Sequence, residues 1–318
     1  QYVMSGNVGF KGLTGTFKRG NTMYTITDGE GRIMLNHDQI VISHSSWRIN
    51  DQAAKLNGLI TLGKEEEYLN LNVVADKVAL EAITDVGITG VVGGRAHIGG
   101  TTVAPRVDAI IGGDGISYKG YHVDRVQGNV VYDKGLVRID DAQLSIGAGN
   151  AKVKGQYVVD TGDFDAVANV HALSLDTFTQ DMTMPITGTI DGEIHVLGKN
   201  NQLTDLVGAV QGHHIGVRGV ILDSVKADLT HSDNLTNITM VGNMGAGSFS
   251  GYGSIQNGQV DATVSGNALP LTSLSPIIGE DVAGTLSTSI NVKGALDNPN
   301  VTGTVWGQEI LYKGAHFN

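Results

Sequence analysis

Residues 186–198 read ITGTIDGEIHVLG. Ile186, Gly188, Ile190, Gly192, Ile194 and Val196 hold one phase of the stretch, and Thr187, Thr189, Asp191, Glu193 and His195 hold the other. Alternation with period two describes a strand with one apolar and one wet face. The pattern recurs at residues 88–100, ITGVVGGRAHIGG, and at residues 282–294, VAGTLSTSINVKG, so the copies start 98 and then 96 residues apart. In all three, apolar residues and glycine keep the even phase, with Thr288 the exception.

A regular long period argues for one array of modules rather than several unrelated domains. The boundaries that follow are a partial module over 1–83, complete modules over 84–181 and 182–279, and a truncated one over 280–318, all in one continuous sheet. Between the opening strands lie short alternating runs separated by Gly, Asn and Asp clusters at the spacing of antiparallel sheet. The expected fold is all-β, mostly antiparallel, with roughly 20–28 strands of ~6–10 residues. Short helices are expected only near Leu80, Asp176 and Thr272. The glycine cluster at 112–115 reads as a turn, as does 28–31, whereas Gly147-Ala148-Gly149 and Gly245-Ala246-Gly247 read as bulges or close sheet approaches.

Composition excludes several classes. Glycine is 45 of 318 residues against 5 prolines, and no Gly-X-Y period is present, which removes collagen and proline-rich disorder. With 21 basic and 32 acidic residues, formal net charge −11, the chain is a poor partner for nucleic acid. There are no cysteines, hence no disulfides, zinc thiolates or thiol nucleophiles. No apolar run approaches the ~18 residues of a membrane span. The opening QYVMSGNVGF is neither a start methionine nor a signal peptide, and 315–318 stop partway through a repeat, so the chain reads as a piece of a longer one.

Residues suited to chemistry do not assemble. His213 and His214 are adjacent and point to opposite faces of a strand. His122 and His316 sit at equivalent repeat positions, which points to packing, and His97 and His195 fall on the polar phase. The run Lys64-Glu65-Glu66-Glu67 reads as a solvated hairpin. Gly245-Ala246-Gly247 precedes no helix that could hold a phosphate, and no Gly-x-Ser-x-Gly elbow occurs. No catalytic residue, metal ligand or cofactor is assigned. A β-solenoid adhesin would show a coil of ~20 residues, and a carbohydrate-active domain would show aromatic platforms and paired carboxylates; the long period and the 2 Trp and 6 Phe suit neither.

The third copy extends the repeat. Residues 292–317 align with 98–123 at a constant offset of 194, matching Pro299 with Pro105, Val301 with Val107, Gly307 with Gly113 and Ile310 with Ile116. Within it, Asn298-Pro299-Asn300-Val301-Thr302-Gly303 follows an opening strand that ends in apolar-x-Gly. This pattern resembles the AsmA-like family, the TamB type most of all; residues 104–107 lack the Asn and 200–203 lack the Pro. The resemblance implies a long curved sheet folded like a taco, an open half-barrel groove with a greasy inner face. It implies a conduit in the periplasm that carries phospholipid between inner and outer membranes, an inner-membrane anchor outside this segment, and an outer-membrane barrel partner. A role in outer-membrane protein assembly is the alternative, beside a non-enzymatic scaffold. The expected groove residues are the apolar phase: Ile88, Val92 and Ile98; Val107 and Ile111; Ile186, Ile190, Ile194 and Val196; Val282, Leu286, Ile290 and Val292; Val301 and Val305. The expected occupants are phospholipid acyl chains.

Overall fold

A computed structural model describes residues 5–19, 22–84, 87–179 and 185–317. Among the described residues twenty strands belong to one antiparallel sheet. In chain order they are β1 (Ser5–Arg19), β2 (Thr22–Asn36), β3 (Gln39–Ile49), β4 (Gln52–Leu62) and β5 (Glu67–Ala79). Then come β6 (Ile88–Gly100), β7 (Pro105–Tyr118), β8 (Tyr121–Asp133), β9 (Leu136–Ile146) and β10 (Gly149–Val158). Next are β11 (Asp163–Ser174), β12 (Ile186–Lys199), β13 (Gln202–Val217), β14 (Val220–Ser232) and β15 (Leu235–Met244). The last are β16 (Gly247–Gln256), β17 (Gln259–Pro270), β18 (Val282–Ala295), β19 (Asn298–Tyr312) and β20 (Ala315–Phe317). The helical elements are a 3-10 turn, Leu80–Ala82, and two helices, α1 (Asp176–Thr179) and α2 (Leu271–Ile278). They fall where the sequence placed them, after β5, β11 and β17, one per six strands.

The strands are longer than expected, 10 to 16 residues apart from the three of β20. In β2 and β7 the difference has one cause. Residues 28–31 and 112–115, read as turns, lie inside β2 and β7 as bulges. Gly and Asp supply φ > 0 in a bulge as readily as in a hairpin. The reverse error occurs at 147–148 and 245–246, which are tight turns between strands, with Gly147 at φ 58 and Gly245 at φ 57. The following glycines do mark close approach: a Cβ on Gly149 or Gly247 would lie 2.5 Å from the carbonyl oxygen of Ala172 or Ala268.

The chain forms two compact units, Gln1–Ile146 with Lys152–Gly162, and Gly147–Ala151 with Asp163–Asn318. In the first unit β1 to β9 each pair with the next strand in the chain. In the second, β11 to β20 do the same. The bulges are periodic. Gly90, Gly188 and Gly284 hold φ of 123, 110 and 113, a region that favours glycine. Opposite them β7, β13 and β19 each carry an extra residue, with Gly115, His214 and Glu309 left-handed at φ 62, 50 and 51. The next residue, Ile116, Ile215 or Ile310, swings over Gly113, Gly212 or Gly307, where an added Cβ would collide with it.

True burial is scarce. Among the described residues no large side chain is below 2% exposure, and the most buried apolar one is Met244 at 2%. With Val220 and Leu269 it forms a cluster against which Leu222, Phe249, Leu274 of α2 and Leu286 pack. Helix α2 starts at Leu271, itself buried, and ends at Gly279, whose left-handed φ of 76 lets its N–H bond to the Ser275 carbonyl.

Candidate functional site

Register fixes which residues share a face. In the second unit Phe164, Ala166, Ala168 and Val170 of β11 stand opposite Gly198, Val196, Ile194 and Gly192 of β12. Across β12, Ile190, Ile194 and Val196 stand opposite Gly212, Gly208 and Leu206 of β13. The row continues through Val225, Ala227 and Leu229 of β14, Ile238 and Met240 of β15, and Gly253 and Gly251 of β16. It passes to Ala262 and Val264 of β17, Val292 and Ile290 of β18, and Val301 and Gly303 of β19. No Asp, Glu, Lys or Arg stands on this face at any paired position of β11 to β19. Its polar members are few, and His231 is satisfied across the strands by Thr236 Oγ1 at 2.8 Å.

The first unit repeats the arrangement. Gly58, Leu71, Ile98, Val107 and Tyr132 form one row across β4 to β8. Leu56, Val73, Ala96, Ala109 and Val130 lie beside it, and Ala75, Gly94, Ile111 and Gly128 beside those. Ser45, 2% exposed, is the buried polar residue of the face and accepts a hydrogen bond from Trp47 Nε1.

The expected groove residues therefore share a face within each unit. Ile98 pairs with Val107, Ile111 with Gly94, Val92 with Gly113, and Ile88 with Tyr118. Ile186 pairs with Val217, Val282 with Tyr312, Val292 with Val301, and Val305 with Thr288. Two of them differ in setting. Leu286 pairs with Leu269 and packs on the cluster under α2, away from the open part of the face. Val301 and Val305 are each 60% exposed, because β19 is covered beyond β18 only by the three residues of β20. The strands between the opening pairs, β8, β9 and β14 to β17, contribute as much of the face as those the repeat singled out. Their alternation is equally regular, but the bulges reverse its phase.

The following ion pairs lie on the opposite face. Arg106 pairs with Asp108 at 2.7 Å and Asp133 at 3.5 Å, Arg138 with Asp140 at 2.8 Å, and Lys293 with Asp261 at 3.0 Å. The hydrogen bond to Arg106 holds the Asp108 carboxyl below its ordinary value, and Asp108 raises Arg106 in turn. Asp191 is the best-connected carboxylate. It accepts from the Ala172 N–H at the β11 bulge (3.2 Å) and from His171 Nδ1 (2.5 Å), and lies 3.5 Å from His213 Nε2. The Ala172 N–H, then the two histidines, hold its pKa below the ordinary value against the opposing effect of desolvation. Ser287 takes the place of Asp191 at the next bulge, accepting from the Ala268 N–H at 3.1 Å, so this carboxylate caps a bulge. Among the described residues no group of three or more His, Asp or Glu side chains could hold a metal ion.

The first unit has hollows on both faces, as a twisted, saddle-shaped sheet allows. One of about 710 Å³ opens on the polar face between Val74, Arg95, Ile110, Asn129 and Asp141. Its mixed charges and breadth suit solvent. A hollow of about 360 Å³ lies on the apolar face beside the 3-10 turn. Among the described residues no helix is long and apolar enough to cross a membrane.

No protein-family model, curated protein or solved structure matches the chain.

Proposed function

We propose that the chain is a non-enzymatic conduit whose apolar face carries phospholipid acyl chains, as part of a longer periplasmic protein that moves lipid between inner and outer membranes. The observation that carries the reading is the apolar face, which is uncharged at every paired position of β11 to β19. In each unit it runs through every consecutive pair of strands, is rich in Ile, Val, Leu and Gly, and is left half-exposed instead of being filled by a second layer. Leaving such a surface in water costs ~25 cal/mol per Å², and large apolar patches mark binding surfaces. Hydrocarbon satisfies it without polar contacts, and a face with no fixed charge offers no barrier to sliding. The resemblance of the repeat to AsmA-like proteins agrees with this reading and supplies the membranes and the barrel partner.

The test is native mass spectrometry of the purified chain for bound phospholipid, with photocrosslinking from Ile190, Ile238 and Ile290 against Thr189, Asn237 and Asn291 on the other face. Adducts confined to the first set are expected. Adducts on the second set would reverse the face, and a lipid-free chain with no adducts would favour a scaffold.

A further inference from the structure

The apolar hollow of the first unit is lined by Phe17, Tyr24, Ile49, Gln52, Ala54, Val78 and Ile83. It occupies a definite place in the fold: the ends of β1 to β5, next to the 3-10 turn. The corresponding place in the second unit is solid. There Met244 on β15, Phe249 on β16, Leu269 on β17 and Leu274 on α2 pack together with Val220. Ile49, Ala54, Val78 and Ile83 are their counterparts by strand order, on β3, β4 and β5 and after the 3-10 turn.

Two substitutions within the repeat open the space. The cross-strand pair Gly242 and Phe249 is replaced by Trp47 and Ala54. Phe249 lies over Gly242, where a Cβ would come 2.5 Å from its ring, and so fills the second unit from the β16 side. Trp47 turns the other way, over Gly29 and against Phe10, ring centroids 5.1 Å apart, and leaves the side above Ala54 empty. The eight-residue α2 is also replaced by a turn of three, so less cover is available.

The wall offers hydrocarbon contact and little else. Tyr24 Oη donates to the Ile83 carbonyl at 3.4 Å. Gln52 Oε1 accepts from the Ala79 N–H at 3.0 Å, and its Nε2 donates to the Asn50 carbonyl at 3.1 Å. The polar side chains of the lining are thus engaged inside the protein, and none of the lining residues is Asp, Glu, Lys, Arg or His. A polar ligand would have to break these bonds to be held. The volume lies at the small end of the range for ligand sites, ~300–1,000 Å³, which suits a segment of one chain and not a whole two-chain lipid.

We propose that this hollow is a discrete binding site for the methyl-terminated end of a single acyl chain, a parking place on an otherwise featureless path. The site rests on the reading of the apolar face as a hydrocarbon path, and the experiment separates the two. The probe is a phosphatidylethanolamine with a diazirine near the methyl end of one chain, with adducts mapped by peptide mass spectrometry. In the unmodified chain adducts are expected at Tyr24, Ile49 or Val78 and also at Ile194 or Ile238. Ala54→Phe, which places a ring where the second unit has one, should cut the first set about tenfold, equivalent to ~1.4 kcal/mol of lost binding, and spare the second. Ala54→Leu, a smaller fill, should fall between and guards against misfolding of the larger variant. Labelling of the Ile194 and Ile238 set with none at Tyr24, Ile49 or Val78 overturns the site alone. Equal labelling of the hollow in all three proteins also overturns it. No labelling anywhere overturns the conduit reading and the site with it.

Discussion

At the scale of the residue, the same side chain type has different worth on different parts of the face. Ile290 lies on the open part, opposite Val264 and Gly303. Leu286 lies under α2. On the proposed path a charge at Ile290 is therefore a block, whereas a charge at Leu286 is a defect in a packed cluster of its unit. Leu286→Arg should lower the stability of the second unit by about 2–4 kcal/mol, the range for loss of a packed leucine, with the buried cation adding to it. Ile290→Asp should cost less and abolish labelling by an acyl-chain probe beyond that strand. Urea unfolding of the two variants checks the order; a Leu286→Arg protein as stable as the parent would mean that α2 does not seal the cluster. On the polar face, Asp191 has a depressed pKa in the folded chain. Its contribution is thus present above the unfolded value, ~3.9, and is lost as pH falls through the lower folded value. Asp191→Asn should flatten the fall in stability of the second unit below about pH 4 and leave the neutral range little changed in slope. Urea midpoints measured between neutrality and strong acid decide this, and parallel curves for parent and variant would refute it.

At the scale of the element, the strands are set by alternation and the path they build is set by their bulges. Alternation was legible in residues 186–198 and its two copies, as were the helical segments, because Pro276, Asp176 and the apolar clusters around them break period two. The apolar face of the opening strands was legible for the same reason. The bulges were not, because a left-handed residue leaves the same Gly, Asp or His mark whether the chain reverses or only steps sideways. The repeats GDGI, GHHI and GQEI at 113–116, 212–215 and 307–310 hold the missing signal: a glycine followed three residues later by the isoleucine that covers it. The strained residue is an alanine at two further bulges, Ala172 and Ala268, both at φ 49. Ala268→Gly should raise stability by about 0.5–1 kcal/mol, since glycine bears a left-handed φ without steric cost. Gly284→Val, on the strand facing the β19 bulge, should lower it by more than ~2 kcal/mol, because its Cβ would press within 2.7 Å of the Glu309 carbonyl oxygen. Thermal unfolding of the pair checks both signs; a stabilising valine at 284 would mean that the bulge can be ironed out.

At the scale of the molecule, what the chain lacks explains how it should come apart. Within each unit every strand is held by its sequence neighbours, and long-range order comes from a succession of adjacent pairs. Such quasi-one-dimensional arrangements have stabilities that are approximately sums of local terms, and cooperativity weakens as the array lengthens. The buried cluster of the second unit is confined to β14 to β18 and α2. The first unit has no matching cluster at that place, only the hollow bounded by Ala54. A cut into Met244 should consequently be felt locally. Met244→Ala, at the most buried apolar side chain among the described residues, should cost about 2–4 kcal/mol and speed hydrogen exchange in peptides covering 220–232 and 244–270. Peptides covering 39–62 and 88–118 should exchange at the parental rate under the same mild denaturant. Uniform acceleration across both sets would mean that the chain opens as one cooperative body and that the additive picture is wrong. Filling Ala54 with leucine provides the complementary arm, since it should slow exchange in 39–62 and leave 244–270 unchanged, and the two variants combined should show the sum of their separate effects.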